Sequence, residues 1–501
     1  MARGRVIAVI DVGSNSVRLL VARELSPAAF EVVDEQRFDA RLGEDQSGGD
    51  LTEAGIGRGL RALRIMGQVA ASHGPEVTLA VGTEALRRAP NAAEFVEAAR
   101  EQTGIAIRVL SAEEEAFASF LGVVNSSRIT TGHVLDLGGG SLELMDVAVR
   151  MFTGSQSVPL GAIYATERYL KSDPPTAKEV RALRKAVRQQ IEIERPEGEL
   201  CGVGGAVRNL ARIVRLRRKY PLRRIHGLAI TRREMTRLAN DLLRTNAETR
   251  RRMPGLSSAR ADILPAAAVV IDETMNLLGV DRMTVAGQGL REGLVWQQIR
   301  GEAAVLPDVR TASISGLALA NGLNEHSAEP VVVVAAKLFD ATREVHGLGG
   351  DDLDLLLSAS RLAGVGMHVD YYNRDRHAEY LVHSGDLHGF THREIVILGA
   401  LVRTADTGTP DLSPYRAVVE ADDARKATTL AALLGTARAV RRRFPSPVHD
   451  ADFAVDGERL VVRLRARGPV DVETYELERQ ARRVESALKV RLEVQVRGSS
   501  T

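Results

Sequence analysis

Two nine-residue stretches decide the fold: Asp11-Val12-Gly13-Ser14-Asn15-Ser16-Val17-Arg18-Leu19 and Asp136-Leu137-Gly138-Gly139-Gly140-Ser141-Leu142-Glu143-Leu144. Both follow the pattern D-x-G-x-x-S-x-x-L, and they begin 125 positions apart. An apolar, β-rich run precedes each stretch and alternating apolar residues follow it, which predicts a strand, a Gly/Ser turn and a second strand. The repeat therefore predicts two copies of one β-hairpin unit.

A second, weaker repeat lies at a similar spacing. Val81-Gly82-Thr83 and Val203-Gly204-Gly205 are 122 positions apart, and each precedes apolar residues with helical periodicity. Two repeats at nearly one spacing predict two homologous α/β lobes. A cleft between such lobes is a natural place for a ligand.

The pattern changes after about residue 300. Residues 330–345, 352–362 and 393–404 have helical periodicity, whereas residues 450–455 and 459–464 alternate like a pair of strands. A helix at 473–488 and a strand at 490–496 follow. We therefore expect four domains: residues 1–128 and 129–303 as the two lobes, 304–444 as a mostly helical domain, and 445–501 as a small α+β domain.

The composition is that of a folded globular protein. Of 501 residues, 44% are hydrophobic and 26% are charged, which excludes a disordered or fibrous chain. The single cysteine, Cys201, excludes an internal disulfide framework and a Cys-based metal cage. The net charge is only +2, so any site for a polyanion must be local. No apolar run suits a membrane span or a signal-peptide core, so we expect a cytoplasmic protein without membrane or nucleic-acid partners.

Each Gly/Ser turn can bind an anion. A turn of Gly, Ser and Asn presents successive backbone N–H groups that are not covered by side chains. Two such turns facing each other would hold a phosphate chain, and Asp11 and Asp136 at their entries suit Mg²⁺. The alternative is that each is an ordinary tight turn with an Asp cap, which is less convincing for a matched pair.

The two stretches resemble the phosphate motifs of the Ppx/GppA (exopolyphosphatase/guanosine pentaphosphate phosphohydrolase) family. Further matching segments are residues 82–87, 111–116, 202–205 and 289–294. The resemblance covers about residues 5–297. It implies an α/β fold with two actin-like (ribonuclease H-like) lobes of the ATPase superfamily that includes actin, sugar kinases and heat-shock chaperones.

The resemblance also implies a role for individual residues. The implied phosphate-binding residues are Gly13, Ser14, Asn15, Ser16, Gly138, Gly139, Gly140, Ser141, Gly204 and Gly205. The implied ligands of Mg²⁺, with Mn²⁺ as the alternative metal, are Asp136, Asp11 and Glu143. Glu115 would be the general base, and Arg87 would contact the terminal phosphate.

These roles agree with the chemistry of phosphoryl transfer. Its loose transition state needs positioning, charge stabilisation and one base that orients water. An alternative for the acidic run 113–115 is a helix start after the cap Ser111, and we prefer it for Glu113 and Glu114. For Glu115 only the resemblance favours catalysis. Arg87 and Arg88 have the alternative of being surface cations.

The segment 357–406 resembles the helical HD-like domain of long family members. Where such domains carry an adjacent His-Asp pair of metal ligands, this chain has Ala363-Gly364. We therefore expect no second metal centre, with His368 and Asp370 as the alternative ligands. We expect this domain to form a homodimer or to lengthen the substrate groove.

The sequence thus predicts a Mg²⁺-dependent exopolyphosphatase that removes terminal phosphate from inorganic polyphosphate. Hydrolysis of guanosine pentaphosphate is the alternative activity, because both substrates end in a phosphoanhydride. A noncatalytic sensor of polyphosphate or of a guanine alarmone is the alternative from another functional class.

Overall fold

The computed structural model describes residues 4–43, 49–193 and 198–498. The chain divides into two compact units, residues 1–220 with 224–309 and residues 221–223 with 310–501. Among the described residues, no helix is both long and apolar enough to cross a membrane.

The first unit contains two sheets of similar design. The first sheet is built from β1 (Val6–Val12), β2 (Val17–Ser26), β3 (Ala29–Phe38), β4 (Val77–Gly82) and β5 (Ile107–Val109), in the order β3-β2-β1-β4-β5. The second is built from β6 (Gly132–Leu137), β7 (Leu142–Ala148), β8 (Met151–Val158), β9 (Glu199–Val203), β10 (Ala229–Thr231) and β11 (Arg282–Val285), in the order β10-β11-β9-β6-β7-β8.

The two sheets repeat one strand pattern. β1 pairs antiparallel with β2 and parallel with β4, and β6 pairs antiparallel with β7 and parallel with β9. Residues 7–10 of β1 are apolar on both faces and buried because this strand lies at the centre of its sheet. The predicted hairpins and the mixed α/β class are confirmed. The assignment of the sheets to actin-like lobes stays a prediction, and the repeated strand order supports it.

The helices of the first unit are α1 (Glu53–Ser72), α2 (Glu84–Arg88), α3 (Ala92–Thr103), α4 (Ala112–Val124), α5 (Ala162–Tyr169), α6 (Ala177–Gln190), α7 (Gly205–Arg217), α8 (Arg232–Leu243), α9 (Ala247–Arg251), α10 (Leu264–Leu277) and α11 (Leu290–Arg300). Short 3-10 turns lie at Ser258–Arg260 and Gly301–Ala303. Two of these helices follow the weaker repeat directly, α2 after β4 and α7 after β9. Both therefore begin beside the ends of central strands.

The second unit is mostly helical with one small sheet. Its helices are α12 (Val309–Ala320), α13 (Glu325–Ala341), α14 (Arg343–His346), α15 (Gly350–Leu362), α16 (Arg374–Ser384), α17 (His392–Arg403), α18 (Asp423–Val440) and α19 (Asp471–Leu488). Its strands β12 (Val448–Asp456), β13 (Arg459–Ala466) and β14 (Arg491–Gly498) lie in that order, and a 3-10 turn lies at Ser413–Tyr415.

One helix of the second unit differs from the sequence-based expectation. The single helix expected at 330–345 is interrupted at Thr342, which separates α13 from α14. Lys337 of α13 pairs with Asp450 of β12 at 2.7 Å, so the helices and the small sheet are joined within this unit. The predicted domain boundaries at residues 129, 304 and 445 stay predictions.

An ion-pair cluster around Asp406 joins helices of the second unit. Its carboxylate accepts hydrogen bonds from Arg438 at 2.9 Å and Arg374 at 3.1 Å, and Arg442 lies 3.8 Å away. Burial works to raise the pKa of Asp406, but the charge and hydrogen bonds of Arg438 and Arg374 outweigh burial and hold this pKa at about 2. The folded state therefore favours the charged carboxylate.

We expect Asp406→Asn to lower the free energy of unfolding of the second unit by about 2 kcal/mol at pH 7. Because the folded pKa lies below that of the unfolded chain, this stabilisation is present above about pH 4 and is lost as the pH falls through about 2. Urea denaturation of the full chain between pH 3 and pH 7 measures the difference. The matched control is Asp354→Asn, on the exposed face of α15. A difference between wild type and Asp406→Asn that does not narrow with acid would contradict the account.

Candidate active site

The two Gly/Ser turns have the same backbone geometry. The Gly13 amide donates to the Ser16 carbonyl at 3.2 Å, and the Gly138 amide donates to the Ser141 carbonyl at 3.0 Å. Both turns line one cleft of the first unit. The predicted residues that line it are Asp11, Gly13, Ser14, Asn15, Ser16, Glu115, Asp136, Gly138, Gly139, Gly140, Ser141, Gly204 and Gly205.

Glu84, the first residue of α2, lies between the two turns. The Ser14 hydroxyl donates to Glu84 Oε2 at 3.1 Å. A Cβ added to Gly140 would lie only 1.9 Å from the same oxygen, so the carboxylate reaches the second turn where glycine leaves room. Arg88 donates to the other oxygen of Glu84 at 2.9 Å. Sequence reasoning gave no role to Glu84, although it lies in a segment that carries the family resemblance.

Glu115 enters the cleft from the first turn of α4. Ser111 caps this helix through a capping box with Glu114, which explains the start of the helix but leaves Glu115 free of any capping role. Arg87 donates to Glu115 Oε2 at 2.9 Å and to the Leu110 carbonyl at 2.9 Å. Burial raises the pKa of Glu115 above its usual range, against the opposing charge of Arg87. A carboxylate with a raised pKa is suited to accept a proton.

Arg87 is therefore placed beside the candidate base. Arg87 is not among the residues that line the cleft. Its guanidinium holds Glu115 and the backbone before α4, so it orients the carboxylate. Its contact with a terminal phosphate stays a prediction.

Two glycines set the position of α4 against α11. A Cβ added to Gly293 of α11 would lie 1.7 Å from the Ala118 carbonyl, and a Cβ added to Gly122 would lie 2.2 Å from the Gly289 carbonyl. Both obstacles are backbone atoms, which cannot move without shifting a helix. The two helices carry Glu115 and Arg291 into the cleft, so this close packing positions site residues.

We expect Gly293→Ala to lower the free energy of unfolding of the first unit by about 3 kcal/mol, because the added methyl group has no room. The displaced α4 should also reduce activity. Thermal denaturation of the full chain measures the stability. The control is Gly57→Ala in α1, where nothing lies within 4 Å of an added Cβ and alanine favours the helix. Equal stability of the two variants would refute the packing argument.

The three carboxylates assigned to a metal are brought to one region by strand pairing. Asp136 on β6 lies opposite Glu143 on β7, and the equivalent positions in the first hairpin are Asp11 and Arg18. The Ser119 hydroxyl donates to Asp136 at 2.7 Å. Glu143 is 3% exposed, accepts a hydrogen bond from Ser157 at 3.0 Å and is not among the residues that line the cleft.

Burial raises the pKa of all three carboxyl groups. Asp11 and Asp136 have pKa values above their usual range despite the opposing influences of Arg18 and Ser119, respectively. Burial, with the nearby charges of Glu115 and Asp136, raises the pKa of Glu143 well above its usual range. Crowded, buried carboxyl groups of this kind are stabilised in their charged form by a cation.

The chemistry of this donor set fits Mg²⁺. Among the described residues, no group of three or more His, Cys, Asp or Glu side chains is arranged to bind a metal ion on its own. Mg²⁺ needs only one or two carboxylates, because water and substrate phosphate complete its shell. Asp11 and Asp136, which both line the cleft, would hold it. Glu143 lies opposite Asp136 on the neighbouring strand, and its role as a ligand stays a prediction.

Sequence reasoning missed a wall of arginines in the cleft. Its members are Arg18, Arg208, Arg260 and Arg291. Arg291 pairs with Glu35 at 2.7 Å. The nearest hydrogen-bond acceptors of Arg18 and Arg208 are the Ser16 hydroxyl at 3.2 Å and the Gly287 carbonyl at 3.1 Å. Among the described residues, no carboxylate lies within ion-pairing distance of Arg18, Arg208 or Arg260.

Burial and the charges of neighbouring arginines lower the pKa of two members of the wall. Burial, followed by the charges of Arg208 and Arg291, lowers the pKa of Arg18 to about 9. Burial and the charge of Arg37 likewise lower the pKa of Arg260 to about 10. Such a cluster gains stability when an anion enters the cleft.

The sequence carried a signal for two of the four arginines. Arg18 lies inside the first repeat, and Arg291 lies in the segment 289–294. Nothing in the sequence distinguishes Arg208 and Arg260 from the other arginines of the chain, which has 60 of them.

In the second unit, both alternative metal ligands have hydrogen-bond partners. His368 Nε2 lies 3.2 Å from the Gly322 carbonyl, and Asp370 accepts hydrogen bonds from the Tyr372 amide at 3.0 Å and from Asn373 at 2.6 Å. The contacts of Asp370 lie within its own loop, whereas His368 contacts a residue 46 positions away. The expectation about a second metal centre stays a prediction.

Two family models match the chain. The model described as the Ppx/GppA phosphatase family matches residues 20–302. The model described as Ppx/GppA phosphatase, domain III, matches residues 309–452. The resemblance given by the two Gly/Ser stretches is thus confirmed.

Solved structures of similar proteins cover about three fifths of the chain. A Ppx/GppA family member from Aquifex aeolicus is 27% identical, with a TM-score of 0.54 over 60% of this chain and 99% of its own. An exopolyphosphatase-like protein is 25% identical, with a TM-score of 0.55 over 59% and 99%. An exopolyphosphatase from Cytophaga hutchinsonii, 21% identical with a TM-score of 0.56 over 60% and 100%, is similar in fold.

Proposed function

This chain belongs to the Ppx/GppA phosphatase family, and we propose that it is an exopolyphosphatase. In this proposal it hydrolyses the terminal phosphoanhydride bond of inorganic polyphosphate, with Mg²⁺ as cofactor. Membership of a phosphatase family supports a hydrolase. The substrate and the residue roles are the parts that we propose.

The observation that carries the proposal is the wall of four arginines that line the same cleft as Glu115. Three of its members have no carboxylate within ion-pairing distance among the described residues, so their guanidinium groups are available to bind an anionic ligand. Arginine binds phosphate through a planar fork of donors. The Gly/Ser turns and this wall line one cleft, so a chain of phosphates bound there can contact both.

The residues of the cleft can divide the reaction between them. The turn amides bind the oxygens of the terminal phosphate, as backbone nests do. Mg²⁺ bound at Asp11 and Asp136 would supply positive charge for the phosphate oxygens. Glu115, held by Arg87, orients a water molecule toward the phosphorus and takes its proton. The water oxygen joins the phosphorus, the bridging P–O bond breaks, and orthophosphate and a shorter chain remain.

A side pocket favours guanosine pentaphosphate as a second candidate substrate. It adjoins the cleft and shares Ser14, Asn15, Ile163 and Ile263 with it. Asp262 also lines it. Glu167 is a second carboxylate in its lining, and Ile163, Ala259 and Ile263 supply apolar surface. A purine base would pack against the apolar surface and donate hydrogen bonds to a carboxylate.

The deciding experiment compares both substrates in one assay. Orthophosphate release is measured with Mg²⁺ from long-chain polyphosphate and from guanosine pentaphosphate, and the ratio of kcat/KM values is taken. We expect polyphosphate to be preferred at least tenfold. A preference for the nucleotide would replace the proposed substrate with the second candidate. Tight binding of either compound without release would identify a sensor.

A further inference from the structure

The start of α7 places Arg208 in the cleft. Arg208 lies in the first turn of α7, the helix that begins at Gly205 directly after Gly204. Gly204 has a φ of +103°, and a Cβ there would lie 2.6 Å from the Leu137 carbonyl and 3.0 Å from Asp136 Oδ1. The start of α7 therefore fits against the end of β6, and this contact brings the Arg208 side chain into the cleft.

The contacts of Arg208 leave most of its donors available. Among the described residues, its guanidinium donates one hydrogen bond, to the Gly287 carbonyl at 3.1 Å. An arginine has five N–H donors, and because Arg208 is half-buried its remaining donors are accessible in the cleft. The neighbouring Arg291 adds repulsion, and together with burial it lowers the pKa of Arg208. An anion in the cleft would satisfy both the free donors and the charge.

The contacts of Asp136 place it between the elements that carry Glu115 and Arg208. Ser119, one turn after Glu115 on α4, donates its hydroxyl hydrogen bond to Asp136 Oδ2 at 2.7 Å. The other carboxylate oxygen, Oδ1, would lie 3.0 Å from a Cβ added to Gly204, at the start of α7. In this order, α4 with Glu115 lies on one side of Asp136 and the start of α7 with Arg208 lies on the other.

This order fixes the direction of the reaction. In phosphoryl transfer, the attacking and leaving oxygens lie roughly in line on opposite sides of the phosphorus. Water at Glu115 and a terminal phosphate at the aspartates and turns leave the departing oxygen on the side of the arginines. Among these, Arg291 is already paired with Glu35, whereas Arg208 has no carboxylate partner among the described residues.

We propose that Arg208 is a catalytic residue that binds the leaving phosphate, the one next to the terminal phosphate. This inference rests on the proposed function. As the bridging P–O bond breaks, its electron pair stays on the leaving oxygen, and Arg208 donates hydrogen bonds to the oxyanion formed there. The proton of the attacking water passes to Glu115, so charge and atoms balance. Stabilising charge that develops in the transition state increases kcat.

Arg208→Met tests the inference, because it removes the guanidinium and keeps a side chain of similar reach. We expect kcat for polyphosphate to fall about 10²-fold. Arg208→Lys should recover part of the loss, because it restores the charge without the fork. The control is Arg212→Met, one turn further along α7 and exposed, which we expect to change kcat less than twofold.

A binding measurement separates this inference from the proposed function. Calorimetry with tripolyphosphate is carried out on the Glu115→Gln protein, with and without Arg208→Met and with Arg212→Met as control. We expect only Arg208→Met to raise the Kd, by about tenfold. An unchanged Kd together with an unchanged kcat would overturn the inference. If the wild type releases no phosphate from polyphosphate but Arg208→Met still weakens binding, the proposed function fails and the contact of Arg208 with the phosphate chain stands.

Discussion

Glu115→Gln should lower kcat for polyphosphate by about 10²- to 10⁴-fold, the usual contribution of a positioned base. The amide keeps the size of the side chain but cannot take a proton from water. Because Arg87 can still donate to the amide oxygen, we expect α4 and the cleft to keep their positions. Steady-state orthophosphate release measures the loss.

Two companion measurements make this result specific to the base. Tripolyphosphate should bind Glu115→Gln with a Kd within about threefold of that of wild type, because the turns and arginines are untouched. Glu113→Gln is the matched control, since Glu113 is exposed on the same helix turn and the same charge is removed. A full rate in Glu115→Gln, or an equal loss in Glu113→Gln, would remove Glu115 from the reaction.

Asp136→Asn should lower kcat by about 10³-fold at fixed Mg²⁺ and raise the Mg²⁺ concentration needed for half-maximal rate. Asp136 lies at the entry of the second turn, within hydrogen-bonding distance of Ser119. The amide keeps the Ser119 contact but removes the negative charge that would bind the cation. Rates measured over a Mg²⁺ titration separate a metal defect from a general loss.

The control for Asp136→Asn is Asp281→Asn, whose side chain is 87% exposed in the same unit. It removes one negative charge far from any buried carboxyl group, and we expect wild-type rates. Chelation of divalent cations should stop the wild-type reaction, and added Mg²⁺ should restore it. A reaction that continues at full rate in chelator would contradict the metal assignment.

The hairpins were predictable because their signal is local. A strand, a turn of Gly and Ser, and a second strand are each written in consecutive residues, and the copy at Asp136 repeats the copy at Asp11. The same locality predicts the start of α4 at Ser111, where the capping box lies within four residues. These features needed no knowledge of tertiary packing.

Elements without periodicity were not predictable. α10 is buried at every position from Leu264 to Met275, including Asp272 and Glu273, so it has no exposed face to mark a helical period. Its two acids are paired with Arg184 at 2.6 Å each, a contact across 88 and 89 positions. Only tertiary packing brings these residues together.

The arginine wall shows the same limit within the site. Arg18 and Glu143 occupy equivalent positions of the two hairpins, yet one lies in the cleft and the other behind it. The pairing of Arg87 with Glu115 spans 28 positions and depends on how α2 packs beside α4. The sequence could supply the residue types of the site but not which side of the cleft each one occupies.

The central claim is that this cleft hydrolyses a terminal phosphoanhydride with water positioned by Glu115. Its most direct test is hydrolysis of long-chain polyphosphate in ¹⁸O-labelled water with Mg²⁺, followed by mass analysis of the products. The account predicts that each orthophosphate released by the wild type carries one oxygen from water, and that Glu115→Gln forms almost none. Polyphosphate that binds the wild type but stays intact, or label released equally by Glu115→Gln, would contradict it.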